Sequence, residues 1–220
     1  MSKRTFLTLV AEDLLQQFGH DMRHVTVVFP NRRASSFLFQ ELAALSDTPI
    51  WAPNCMTISE IYQTLSPYKE EDKIATICQL YQQYLKHVGP LIEQEEGHDK
   101  LAEETLDRFW GWGEVMLSDM DDIDKHMADA KQILSLMQDT EALKNFDFLS
   151  NEERETLEQF LGFTKERATL LQQRFMRLWD KMHDIYQGLN AAQHESGRLY
   201  QGALYRDVCD NLSVEQLQER

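Results

Sequence analysis

The residues whose type and spacing best suit chemistry are Asn31, Arg32 and Arg33. They follow Val25-Thr26-Val27-Val28-Phe29-Pro30, a run of β-branched and aromatic residues closed by a proline. Such a run predicts a strand covered on both faces, and Pro30 ends it because proline has no N–H for the ladder. Asn31 is a good N-cap, which puts Arg32 and Arg33 in the first turn of the following helix. Guanidinium groups beside a helix N-terminus suit a phosphate, so Arg32 and Arg33, with Asn31 as their cap, are the candidate nucleic-acid-binding residues. A solvated basic first turn is the plainer reading and stays open beside it.

Other constellations fall short of a site. A P-loop needs G-x-x-x-x-G-K-[ST] to cradle phosphates, and that string does not occur; Gly111-Trp112-Gly113 reads as close helix packing. A metal-dependent nuclease needs carboxylates on strands followed by [DE]-x-K. Glu71-Asp72-Lys73 and Asp129-Ala130-Lys131 fit the tripeptide but lie in helical context. Asp119, Asp121, Asp122 and Asp124 are the densest carboxylates, but Asp124 stands where a calcium loop needs glycine, so they read as a solvated linker or helix N-terminus. Glu95-x-x-His98 is a lone half of a di-iron pattern, with Asp180-x-x-His183 a weak relative. Phe109, Trp110 and Trp112 could stack bases, but in an acidic helix they read as core. The expectation is therefore no catalytic residue, no metal site and no cofactor site in this chain.

Charge narrows the partners. The net charge is −15, with 22 Lys/Arg against 37 Asp/Glu. Residues 1–66 hold five of those bases and six of those acids, leaving 17 against 31 for residues 67–220. Broad clamping of a phosphate backbone rests on many Lys/Arg contacts, which the acidic part lacks; a local basic spot at Arg32 and Arg33 remains allowed. Cys55, Cys78 and Cys209 are odd in number and far apart, as free thiols of a reducing cytoplasm would be. A membrane-spanning run and a signal-peptide pattern are both missing, so the expected location is cytoplasmic, with no membrane partner.

The elements that must position these residues change character near Ser66-Pro67. Before it, Phe6, Leu7, Val10, Leu14, Leu15 and Phe18 recur at helical spacing up to a Gly19 C-cap. The strand follows, then a helix with Phe37, Leu38, Leu42 and Leu45 on one face, then an extended piece over Thr48–Pro53. Thr57-Ile58-Ser59-Glu60 is a capping box that opens a helix to about Leu65. Residues 1–66 thus read α-β-α-β-α, an incomplete α/β layer. From Lys69 on the spacing predicts helices and no strand: one marked by Ile74, Ile77, Leu80, Tyr81, Tyr84 and Leu85 and ending near Gly89-Pro90, a polar connector over 90–100, an apolar helix spanning Leu101–Leu117, a short face at Ile133–Met137, a long helix from Asn151 to about Gln193 with a break at Gly162, and a last one from Tyr200 to about Leu212. One apolar face in each makes a bundle. The expected division is 1–66, 67–212 and a polar tail, 213–220. The fold class is mainly α with a small α/β N-terminal part.

Four strings then occur in order: Val27-Val28-Phe29-Pro30-Asn31-Arg32-Arg33-Ala34; Met56-Thr57-Ile58-Ser59-Glu60; Phe109-Trp110-Gly111-Trp112-Gly113-Glu114 with Leu117-Ser118-Asp119-Met120-Asp121-Asp122-Ile123-Asp124; and Tyr200-Gln201-Gly202-Ala203-Leu204-Tyr205-Arg206. Together they resemble the N-terminal region of AddB-type (UvrD/RecB-like) helicase–exonucleases, in the branch of PD-(D/E)XK nuclease family proteins. The resemblance implies a partial RecA-like layer (helicase subdomain 1A) over 1–66 and a helical insert like subdomain 1B from about 67. It implies a non-catalytic module of a protein that processes double-strand breaks for recombinational repair. DNA, single-stranded or at duplex ends, is then the partner, with an AddA-type helicase subunit beside it. ATP and magnesium would be expected only for the complete parent enzyme, since Walker A, Walker B and nuclease motifs are missing from these residues. An acidic helical protein-interaction module with no DNA role is the alternative.

Overall fold

The computed structural model describes residues 4–136 and 170–213, with only the backbone described at 95, 96, 98, 100, 135, 136 and 170–176. It is mostly helical, with a few short strands, and divides into two compact units, Met1–Ser66 and Pro67–Arg220.

In the small unit the order is α1 (Phe6–Phe18), β1 (Thr26–Phe29), α2 (Arg33–Leu45), β2 (Asn54–Thr57) and α3 (Ile58–Leu65). Thr5 and Thr8 cap α1 reciprocally through their hydroxyls, and Gly19 ends it at φ 66°, a left-handed backbone that favours glycine. β1 and β2 pair in parallel, with Thr26 opposite Asn54 and Phe29 opposite Thr57. The extended piece at 48–53 is not the strand. Trp51 makes one isolated bridge to Asp21, and the ladder proper begins only at Asn54. Asn54 and Cys55 carry little β signal of their own, so pairing with β1 creates the strand.

The small core gathers Ala11 and Leu14 of α1, Leu38 and Leu42 of α2, and Phe29 and Met22, with Val27 packed against them. Val28 points the other way and is 41% exposed, so β1 is covered on one face, not two. Successive strand side chains alternate faces, and this unit supplies apolar cover for only one of them. Phe37 and Leu45, expected inward on α2, are also exposed, as is Phe6.

The large unit contains α4 (Lys73–Glu96), α5 (His98–Ala102), α6 (Leu106–Lys125), α7 (Ala130–Leu136), α8 (Leu170–Ser196) and α9 (Gln201–Asn211). α4 packs on α6 and α8, and α9 packs on α6. The helix does not stop at Pro90. It continues to Glu96, with Pro90 in its interior, and ends at Gly97 with φ 91°. An interior proline costs about 3 kcal/mol, but Val88 and Ile92 on either side are buried and carry the apolar face through. The connector therefore shrinks to the turns around α5. The apolar helix expected over Leu101–Leu117 is likewise divided: Leu101 belongs to α5, and α6 starts after Thr105.

Two strands occur where the spacing predicts none. β3 (Lys69–Glu70) and β4 (Arg198–Leu199) pair in parallel, joined by Lys69 N–H to Gly197 O at 3.2 Å and Glu71 N–H to Leu199 O at 2.8 Å. Two-residue strands carry no alternation to read; chain closure makes them. Gln193, fully buried, ties the same region together. Its amide donates to Thr76 Oγ1 at 3.3 Å and Gln79 Oε1 at 2.9 Å, and its carbonyl accepts from Tyr200 N–H at 2.8 Å. The expected start of the long helix at Asn151, the break at Gly162, Met137 and nearly all of the tail lie outside the described residues. Among the described residues no helix is long and apolar enough to cross a membrane.

Candidate nucleic-acid interface and a buried carboxylate

The carboxyl ends of β1 and β2 lie side by side because Phe29 is in register with Thr57. Each strand runs straight into a helix start at that edge. After β1, Asn31 Oδ1 accepts the N–H of Ala34 at 3.2 Å, and Ser35 Oγ donates to Arg32 O at 2.6 Å. Arg32 already has helical torsions, φ −64° and ψ −25°, and the regular helix begins at Arg33. Asn31 thus acts as the cap, and both arginines sit at the first turn.

After β2, Thr57 and Glu60 form the capping box. Glu60 N–H reaches Thr57 Oγ1 at 3.2 Å, while Glu60 Oε2 accepts from Thr57 N–H at 2.8 Å and Thr57 Oγ1 at 2.9 Å. The other carboxylate oxygen, Oε1, accepts from Arg32 Nη2. Glu60 is therefore both the cap of α3 and the counter-ion of Arg32. The Thr57 backbone bond, then the Arg32 guanidinium, pull its carboxyl down to about 2. Arg33 is exposed and has no such counter-ion among the described residues. The two candidate arginines are unequal: Arg32 is held and partly neutralised, and Arg33 carries the uncompensated charge. The capping box located Glu60 in the sequence, but only the parallel pairing of β1 and β2 brings it to Arg32.

The densest acids are neither linker nor helix N-terminus. Asp119 to Asp124 occupy the last turns of α6, and Asp124 is fully buried. Its Oδ1 accepts from the Tyr186 hydroxyl at 2.5 Å and lies 2.7 Å from Arg206 Nε as an ion pair; its Oδ2 accepts from the Tyr200 hydroxyl. Arg206 Nη2 also donates to Ile123 O at 2.9 Å and Ala128 O at 2.6 Å, taking up one carbonyl in the last turn of α6 and one in the turn that follows. Burial pushes the Asp124 carboxyl up, more than its donors bring it down, and burial also raises both tyrosines. One turn earlier, Asp121 Oδ1 accepts from Gly202 N–H at 2.6 Å. A Cβ on Gly202 would lie 2.6 Å from Asp121 O, so only glycine lets α9 approach this closely. The Asp119–Asp124 and Tyr200–Arg206 strings are thus two halves of one contact. A carboxylate sealed from solvent between two tyrosine hydroxyls and a guanidinium ties α6, α8 and α9 together.

The remaining candidates resolve into structure. Asp72 caps α4, accepting from Ile74 N–H at 2.8 Å, and Lys73 pairs with Glu114 at 2.6 Å. Asp129 accepts from Gln132 N–H at 3.0 Å at the start of α7. Both [DE]-x-K strings are therefore helix starts. Phe109 is core, packed on Tyr81 and Tyr84, whereas Trp112 is half exposed. The side chains of Glu95 and His98 lie outside the described residues. Among the described residues no group of three His, Cys, Asp or Glu is placed to hold a metal ion.

In comparisons with known proteins, no family model, no curated protein and no solved structure matches the chain.

Proposed function

We propose that this chain is the N-terminal, helicase-like module of an AddB-type protein acting on DNA ends in double-strand break repair, itself non-catalytic. In this reading residues 1–66 are part of a RecA-like layer and the helices after Pro67 are a 1B-like insert. The parent protein, with an AddA-type subunit, would supply ATP- and magnesium-dependent steps. The observation that carries the reading is the strand–cap–helix turn at Asn31, which presents Arg33 uncompensated and Arg32 restrained beside two adjacent helix starts. Helix N-termini and guanidinium groups at the carboxyl edge of a parallel pair favour a phosphate. The acidity of residues 67–220 confines phosphate contact to this turn.

The test is fluorescence anisotropy of a labelled single strand and of a blunt duplex across a salt series. Arg33→Ala is expected to weaken binding and flatten the salt dependence, with Arg32→Ala smaller. Absence of salt-dependent binding by the unmodified chain at low ionic strength overturns the reading. A second reading, docking of the small unit on protein, is supported by the exposed Val28, Phe37 and Trp51.

A further inference from the structure

We infer that the outer face of α6 is a docking surface for a partner helix that is apolar and basic on one side. Gly111, Trp112, Val115, Asp119 and Asp122 recur at spacings of three and four, so they share one face of the helix. All five are exposed, Trp112 at 49% and Val115 at 55%.

Gly111 is the informative residue. Glycine in a helix interior is disfavoured relative to alanine, so it needs a reason. Gly113 has one: a Cβ there would sit 2.7 Å from Phe109 Cε1 and 3.2 Å from Ile77 Cγ2 on α4. At Gly111 a Cβ would meet nothing within 4 Å. Packing among the described residues does not require this glycine. It leaves a shallow notch, flanked by an exposed tryptophan and valine, where the backbone of another helix can come close. A half-exposed tryptophan beside such a notch is the kind of anchor on which an interface is built.

Charge selects the occupant. Asp119 and Asp122 continue the face toward the helix C-terminus, and the one cation on it, Arg108, is paired with Glu103 at 3.2 Å. The surrounding unit is strongly acidic. An acidic partner or a nucleic acid backbone meets like charge here, whereas an amphipathic helix with Lys or Arg beside its apolar strip finds both halves matched. None of Asn31, Arg32 and Arg33 takes part.

The probe is a synthetic amphipathic helix of Leu and Lys at i, i+3, i+4, i+7 spacing, with the same peptide carrying Glu for Lys as its control. Titrated calorimetrically into the full chain, the Lys peptide is expected to bind and the Glu peptide to bind at least about tenfold more weakly. Gly111→Leu, which fills the notch, and Asp119→Lys with Asp122→Lys, which reverses the charge, should each weaken the Lys peptide about tenfold. Gly111→Ala serves as the folding control and should melt no lower than the wild type. No binding by the wild type, or equal binding by wild type and Gly111→Leu, overturns the proposal. So does self-association of the free chain that Gly111→Leu abolishes, which would make a second copy the occupant. Displacement of the peptide by a thymidine oligonucleotide would instead make Trp112 a base-stacking platform. A Gly111→Leu chain that melts well below Gly111→Ala would mean the chain covers this face itself.

Discussion

The Arg206 guanidinium and the Asp124 carboxylate face each other 2.7 Å apart in the interior of the large unit, with Asp124 wholly shielded from water. Tyr186 and Tyr200 complete the carboxylate's shell, and Arg206 spends its remaining reach on one carbonyl in the last turn of α6 and one in the turn that follows. The arrangement fastens α9 to α6 and to the long helix α8. Asp124 is buried outright and Arg206 in part, and desolvation of the carboxylate outweighs what its partners return, so it is their geometry that holds the helices together.

Removing one member should therefore be costly. Asp124→Asn keeps the shape but turns an NH2 donor against the tyrosine hydroxyl and guanidinium donors that the carboxylate accepts from, and is expected to destabilise the large unit by about 1–3 kcal/mol. Tyr200→Phe removes one hydroxyl donor to a charged acceptor and should cost about 1.5–3 kcal/mol. Urea unfolding reads both as a lower midpoint at unchanged slope. An Asp124→Asn chain as stable as wild type would show that the acceptors of Asp124 do not hold these helices together.

Two glycines should respond in opposite directions. Gly202→Ala drives a methyl against the Asp121 backbone and should cost about 1–3 kcal/mol, since backbone cannot move aside as a flexible side chain can. Gly111→Ala meets open space on a helix and should stabilise by about 0.5–1 kcal/mol. Thermal melts of the two variants, run side by side, test the contrast; destabilisation by both would contradict it.

Glu60 should govern part of the acid response. Its carboxyl lies at about 2 in the fold against an ordinary 4.5, so its contribution is complete above about pH 4.5 and is lost as the pH falls toward about 2. Asp124 runs the other way: its raised folded value means that acidification just above its ordinary 3.8 favours the folded form. The stability gap between wild type and Glu60→Gln should hence be open at neutral pH and close toward about pH 2. A gap that stays constant across that range would detach Glu60 from the effect.

The same substitution tests what Glu60 does to Arg32. Freed of its counter-ion, Arg32 becomes available to a phosphate, and Glu60→Gln should bind single-stranded DNA more tightly with a salt slope steeper by about one. Because deleting any acid near DNA raises affinity, the comparison is a cycle with Arg32→Ala. Coupling between the two positions is the expected result; strict additivity would place Arg32 away from the DNA.

Much of the small unit is legible along the chain. The capping box at Thr57 and Glu60, the Asn31 cap and the Gly19 stop are interactions between residues no more than four apart, so local sequence fixes them. The same holds for the middle of α1, where Leu14 is buried and Leu7, Val10 and Leu15 pack against the core. The helix through Pro90 was not legible, because a proline signals a stop locally and only the burial of Val88 and Ile92 against the rest of the bundle overrides it.

What sequence determined by itself was where the helices of the small unit start and that Asn31, Arg32 and Arg33 stand at a strand-to-helix turn. Tertiary structure alone decided which face of β1 stays bare, that Asn54–Thr57 is a strand, and that Glu60 closes on Arg32. It also decided that Asp124, outwardly one acid among several, is the buried centre of the large unit. The reason is physical. Caps and amphipathic spacing act within a turn, whereas parallel pairing, desolvation of a carboxylate and the approach of Gly202 to Asp121 depend on residues that meet only after the chain has packed.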